Sequence, residues 1–430
     1  MMIFTRLSKA SSTSSALALA MILGATGTAA TVALEQPAFA QKKKKDDKAD
    51  AKKYSDGFIA VYQPLSEQVN GGAPDWTAIK AQRPAIVAAI ETDDDRMVAG
   101  NLIYSIGTNL EDRALQQEGV ELMLASGKVA PESLGQYNLL AGQLAYNADE
   151  YAKARTYLMK AVELGATQSQ PEGLIAESYF TEENYKAGLD YLATAIAARE
   201  AAGEEINEQW VRRGLQMAYN NQMKTELNDF AQLFIKHFPS QQNWGEVVAI
   251  TAYGGGWQNP EILDLMRLAR DADALRDERM YADYIDSADY RRLPGEVAAV
   301  INEGYTKGTL KRTDSYVSEI FGMATDRAAT DRNDLKGILT GARGAADLKT
   351  VMTGADLALS YGDYAAAEAL YTKALGLAGV DTNLANTRLG IALLEQGKSA
   401  EAIETFNAVT GQRAAIANLW AIYAEQQGGM

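Results

Sequence analysis

The sequence contains no cysteine and one histidine, His237. Without thiols there is no disulfide, no thiolate metal site and no cysteine nucleophile. A single histidine is too little for a histidine-rich zinc centre, and it would have to carry a Ser-His-Asp hydrolase alone. It lies just before Pro239. There the expected role is that of a cation near a helix C-terminus, worth ~0.3–1 kcal/mol. Proline is scarce as well, with nine in 430 residues, so little stands in the way of long helices. The glycine run Gly254-Gly255-Gly256 has no lysine–serine or lysine–threonine pair after it, so it reads as an inter-helix loop and not a phosphate loop. Asp93-Asp94-Asp95 lacks the alternating spacing of a calcium loop and reads as the acidic start of a helix. No metal or cofactor is expected from these patterns.

Positive charge is missing from most of the chain. The first 40 residues carry +1 and residues 41–53 carry +4, which leaves −20 on residues 54–430 against a total of −15. Nucleic acid is therefore an unsuitable partner, because its binding depends on neutralising phosphates.

What is present begins with an export signature. Arg6 and Lys9 precede a charge-free stretch, Ala10 to Leu34, with its apolar centre at Ala16–Leu23. Ala38-Phe39-Ala40 then supplies the small residues a signal peptidase reads, with cleavage expected between Ala40 and Gln41. The expected location is the periplasm or the outside of the cell. The alternative is an uncleaved N-terminal helix acting as an anchor, since the stretch exceeds the ~20 residues needed to span a bilayer. Residues 41–53, rich in lysine, read as a solvated spacer that presents the cleavage site, the alternative being weak contact with an anionic membrane surface.

The rest of the chain repeats itself. Gly142, Tyr151, Ala154, Leu158 and Ala161 recur 34 residues later as Ala176, Tyr185, Gly188, Leu192 and Ala195. Near the C-terminus Ala355, Gly362, Tyr364, Ala367, Tyr371 and Ala374 recur 35 residues later as Gly390, Gly397, Ser399, Ala402, Phe406 and Val409. Small residues in register let two antiparallel helices approach to ~8–10 Å. Aromatic residues such as Tyr151, Tyr185, Tyr364, Tyr371 and Phe406 then fill the gap to the next unit.

This spacing resembles the tetratricopeptide repeat, a 34-residue helix–turn–helix unit with small residues at three fixed positions. The positions are filled by Gly142/Ala154/Ala161, Ala176/Gly188/Ala195, Ala355/Ala367/Ala374 and Gly390/Ala402/Val409. Weaker units begin at Gly100, Ile103 and Gly107, at Trp210 with Gly214, Phe230 and Pro239, and at Tyr281, Tyr284, Ala288 and Tyr290. The resemblance implies an exported bacterial member of the family, all-α, a right-handed superhelix with non-repeat helical caps. One array is expected over 54–253 and a second over 261–430, the repeats being clearest at 349–409. One cap is expected over 54–92 as two helices, the second marked by Trp76, Ile79, Ile86, Val87 and Ile90. The other is expected at Ala414–Gln426.

The resemblance further implies a concave groove lined by the first helix of each unit. By position it would hold Leu139, Gln143, Tyr146 and Asn147, then Glu177 and Phe180, then Leu215 and Tyr219, then Met352, Asp356, Ser360 and Thr387. Leu139 and Gln143 stand where some members carry lysine and asparagine that grip acidic chaperone tails. A peptide or helix with basic or apolar anchors is the expected ligand. The functional expectation is a non-enzymatic scaffold or adaptor in the cell envelope that binds a protein partner. The alternative is an envelope enzyme or saccharide-binding protein on a helical scaffold. The sequence leaves the oligomeric state open.

Overall fold

The structure is a computed structural model that describes residues 53–428. The expected signal segment, its cleavage site and most of the lysine-rich run lie outside the described residues. Among the described residues there are twenty-one α-helices, two short 3-10 turns and no strand. The chain divides after Asp149 into two compact units. The glycine run at 254–256 lies inside the second.

The first unit holds α1 (Asp56–Asn70), α2 (Trp76–Ala81), α3 (Arg83–Ala88), α4 (Asp93–Asn109), α5 (Arg113–Ala125) and α6 (Leu134–Asn147). Its core gathers Phe58, Leu65, Ile79, Ile86, Val98, Ile103 and Ile106. The single helix expected from Trp76 onward is broken in two at Gln82. Pro84 has no N–H to continue the first segment, so Gln82 ends one helix and caps the next. The acidic run does open a helix. Thr92 accepts from Asp95 N at 3.0 Å while the Asp95 carboxylate accepts from Thr92 N at 2.9 Å, a reciprocal capping box.

The second unit holds α7 (Tyr151–Glu163), α8 (Pro171–Thr181), α9 (Tyr185–Ala202), α10 (Glu208–Asn220), α11 (Lys224–His237), α12 (Gln241–Gly254) and α13 (Asn259–Asp271). It continues with α14 (Glu278–Ala288), α15 (Pro294–Thr306), α16 (Ser315–Gly344), α17 (Leu348–Ser360), α18 (Tyr364–Leu375), α19 (Thr382–Leu394), α20 (Ser399–Asn407) and α21 (Ala414–Gly428). Successive helices pack on each other as a helix–turn–helix repeat solenoid. Small-residue positions lie inside it: Ala154, Ala161, Ala176, Ala355, Ala367, Ala374 and Ala402 are all buried. Facing Gly214 and Gly390 are the rings of Phe230 and Phe406, so close that a Cβ on either glycine would meet ring carbon at 2.1 Å and 2.4 Å.

The backbone carries the repeat further than the side chains do. The turn between paired helices places one residue in the left-handed region at Glu111, Glu183, Gln222, Gly362 and Gly397. Each is followed by a residue whose N–H closes onto the carbonyl five positions back: Asp112 onto Gly107, Asn184 onto Tyr179, Met223 onto Ala218, Asp363 onto Ala358 and Lys398 onto Leu393. This turn satisfies helix-end carbonyls, and the hydrogen bonds offset the ~1–2 kcal/mol that a non-glycine residue loses there. The weak units at Gly107 and Trp210 thus share the geometry of the strong ones.

A charged cradle around helix α13

Helix α13 has the sequence Asn-Pro-Glu-Ile-Leu-Asp-Leu-Met-Arg-Leu-Ala-Arg-Asp, and every residue from Leu263 to Ala269 is buried. A helix on the surface of a solenoid buries one stripe. This one is covered all round, because the C-terminal repeats fold back upon it. Helix α21 packs on α20, as an end cap would, and also on α11, α13 and α19. The terminal helix therefore packs on the end of the array and also encloses α13. Trp420, fully buried, donates from Nε1 to the Asp264 carbonyl at 3.0 Å, and Tyr423 OH donates to the Asp271 carbonyl at 2.7 Å.

Burial of α13 brings two charged side chains, Asp264 and Arg267, into the interior. Arg267 donates to Glu296 of α15 through two parallel bonds of 2.8 Å, and to Asp264 at 3.1 Å. Tyr284 OH adds a third donor to Glu296 at 2.8 Å. On the opposite side Arg388 of α19 donates to Asp264 at 3.2 Å and to Asp356 of α17 at 2.7 Å. Tyr371 OH donates to the same Asp356 oxygen at 2.7 Å. Arg413, in the turn before α21, donates to Glu261 at 2.5 Å, to Thr387 at 3.2 Å and to Asp264. Four carboxylates and three guanidinium groups thus hold α13 between α15 on one side and α17, α19 and α21 on the other.

The environment fixes the charge states. Burial works to raise Glu296 and Asp356, but Arg267 beside the first and Arg388 with Tyr371 beside the second outweigh it and hold both below their ordinary values. Burial followed by the adjoining Asp356 drives the Tyr371 hydroxyl well upward, and Glu296 acts in the same way on Tyr284. These acids stay ionised and these phenols stay protonated near neutrality, which suits them to holding a helix rather than to exchanging protons. The rim behaves differently. Desolvation and then the neighbouring Glu395 push Asp271 well above the carboxylate range. Its side chain keeps solvent contact, so screening weakens the burial contribution and leaves the like-charge contact as the firmer cause. Burial, then the same two carboxylates, raises Tyr364 and Tyr423 to about 12.

The structure places the expected groove residues in three settings. In the first unit Leu139 is buried, Gln143 and Tyr146 are half-buried and Asn147 is exposed. In the first part of the second unit Glu177 is engaged by Arg213 at 2.6 and 2.9 Å, Phe180 is buried with its ring against Gly188, Leu215 is buried and Tyr219 is half-buried. In the C-terminal repeats Asp356 and Thr387 belong to the cradle, Thr387 being fully buried, while Met352 and Ser360 are half-buried. The cradle also uses Tyr284, which marked a weak unit, and Glu261, Asp264, Arg267, Glu296, Arg388 and Arg413, none of which a repeat motif marks. The one local signal was an aspartate and an arginine one turn apart on the polar face of the run Ile262–Ala269.

His237 ends α11, yet burial lowers its pKa and its Nε2 is enclosed without a hydrogen bond, 3.9 Å from Glu200. The imidazole is disposed to be neutral there, which corrects the cationic role expected for it.

No family model matches the sequence, and no curated protein matches it. Among solved structures the chain is similar to one described as the structure of Naa15/Naa10 bound to HypK-THB, at 14% identity and a TM-score of 0.36, over 87% of this chain and 68% of that chain.

Proposed function

We propose that this chain is a non-catalytic scaffold of the tetratricopeptide type that binds a helical or extended segment of a protein partner in the cell envelope. One observation carries this reading: side chains on and just before the first helices of the C-terminal repeats, to which the resemblance assigns a groove, already hold a helix, α13. The side chains that face it are arginine, tryptophan and tyrosine, residue types that anchor interfaces. Export rests on Arg6, Lys9, the charge-free stretch to Leu34 and Ala38-Phe39-Ala40. Among the described residues no helix is long and apolar enough to cross a membrane.

The test is photocrosslinking in the native envelope from probes placed one at a time at exposed positions of the first helices, Asn147 and Gln216. One partner captured from such a probe, and lost when Asn147→Arg or Gln216→Arg is introduced into a folded chain, supports the scaffold. Indifference to both changes overturns it. Phe180 is unsuitable as a probe, since it packs on Gly188 and its loss would disturb the fold.

A further inference from the structure

The seam that closes on α13 concentrates the buried charge of the second unit: Asp264, Arg267, Glu296, Arg388 and Arg413 lie there, and Glu172 alone lies elsewhere among the described residues. Paired helices elsewhere meet mostly through apolar side chains, the α8–α9 pair adding one buried ion pair, Glu172–Arg199. The α13 seam has ion pairs at its centre: Glu261 and Asp264, one turn apart, face Arg388 and Arg413. Charged groups of this kind regain hydration when separated, so such a seam opens at less cost than an apolar one of equal size. Opening need not unfold α13 either, because its apolar side stays packed on α12 and α14.

The connection that would permit opening has its own signature. Helix α16 is thirty residues long and joins α15 to the C-terminal repeats. No residue from Ala329 to Ile338 is buried. Gly322, Gly337, Gly341 and Gly344 have nothing within 4 Å of where a Cβ would stand. Elsewhere in the unit, helix glycines admit a neighbour. Here they only weaken the helix, by about 1 kcal/mol each relative to alanine. A soft connector and a polar seam together describe a clamp.

We infer that helices α17–α21 form a recognition groove occupied in cis by residues 259–271, and that the partner suited to this face is a helix with two carboxylates one turn apart that displaces α13. Arg388 and Arg413 select the two acids, while Trp420 and Tyr423 bond to main-chain carbonyls and so accept varied sequences between them. This inference deepens the scaffold reading and rests on it.

The probe is a fluorescent peptide with the sequence of residues 257–273, titrated into the full chain and followed by anisotropy. The chain is used as wild type and as Glu261→Gln/Asp264→Asn, which loosens the internal occupant and leaves the groove arginines in place. The expected result is weak binding to wild type and binding at least about tenfold tighter to the variant, as the competent fraction rises. A peptide carrying the same two neutral replacements should not bind. Equal binding of both peptides, or no gain in a variant shown to be folded, overturns the inference. Should the variant not fold, hydrogen exchange of the wild type decides. Added salt should speed exchange in α16 and α21 together while the α17–α18 pair stays protected, and uniform exchange throughout overturns the clamp. Crosslinking of a partner at Asn147 or Gln216 with no peptide binding would sink this inference alone. Peptide binding with no crosslinked partner would sink the envelope scaffold alone.

Discussion

Arg388 donates to Asp264 across 124 residues of sequence, and the side chains are 2% and 0% exposed. Removing one member of such a pair leaves a buried charge without its counterion, at a cost of ~3–5 kcal/mol. Asp264→Ala, which leaves Arg388 with Asp356 and Arg413 with Glu261 as their remaining carboxylates, should lower the unfolding free energy from denaturant titration by up to about that range. Arg388→Met combined with Asp264→Leu should be far milder than the sum of the single changes. Additive losses would show that the pair does not act as a unit.

Acid should loosen the cradle. Glu296 and Asp356 are held below their ordinary values of 4.5 and 3.8. A carboxylate with a depressed folded pKa contributes stability that is full above its unfolded value and is lost as pH falls through the folded one. Thermal melts taken from neutral pH downward should therefore show stability falling below about pH 5. In the double variant Glu296→Gln/Asp356→Asn that pH dependence should be smaller, whatever its absolute stability.

Asp271 carries the opposite sign. Its folded pKa is raised by desolvation, which its exposure weakens, and by the like charge of Glu395. Its favourable contribution is present below the unfolded value of 3.8 and disappears as pH rises through the folded one. Asp271→Asn should raise the melting temperature at mildly alkaline pH and leave it nearly unchanged in acid. An equal shift at both would assign the effect to packing.

Two glycine classes should respond in opposite directions. Gly214→Ala forces a Cβ against the Phe230 ring, which already stands at 2.1 Å from that point, and should destabilise the second unit. Overpacking of this sort costs about 1–3 kcal/mol. Gly341→Ala meets open space within a helix and should stabilise by up to about 1 kcal/mol. Differential scanning calorimetry of the two variants separates them.

In the first unit the capping box offers a local check. Thr92→Ala removes the acceptor for Asp95 N and should cost about 1 kcal/mol. Asp95→Ala should cost more, because the same buried carboxylate also accepts from Ser55 N at 3.1 Å and Glu91 N at 3.2 Å. Urea titrations of both variants test the order.

Local pattern settled a large part of this protein. The helix–turn–helix repeat was legible from small residues in register, since an alanine or glycine at a helix crossing is demanded by the approach of two backbones within one unit. Ala355, Ala367 and Ala374 needed no knowledge of the rest of the chain. The turn residues Glu183 and Gln222 were not legible, because the left-handed backbone is imposed by helix-end hydrogen bonds and tolerates several side chains. Pro84 was visible in the sequence, but its effect depended on where it fell in the first helical turn. The resemblance assigns a groove to the first helices by position. Its state could not be read, because Asp264, Arg388 and Arg413 belong to different repeats and no repeat requires them. Their pairing appears only when the solenoid returns on itself and a helix that would have shown one polar face to water is enclosed on all sides. The sequence by itself determined the repeating unit, through contacts a few residues to one turn-length apart. Tertiary structure decided what the inner face holds, because charges in a closed interior must find partners wherever the chain brings them.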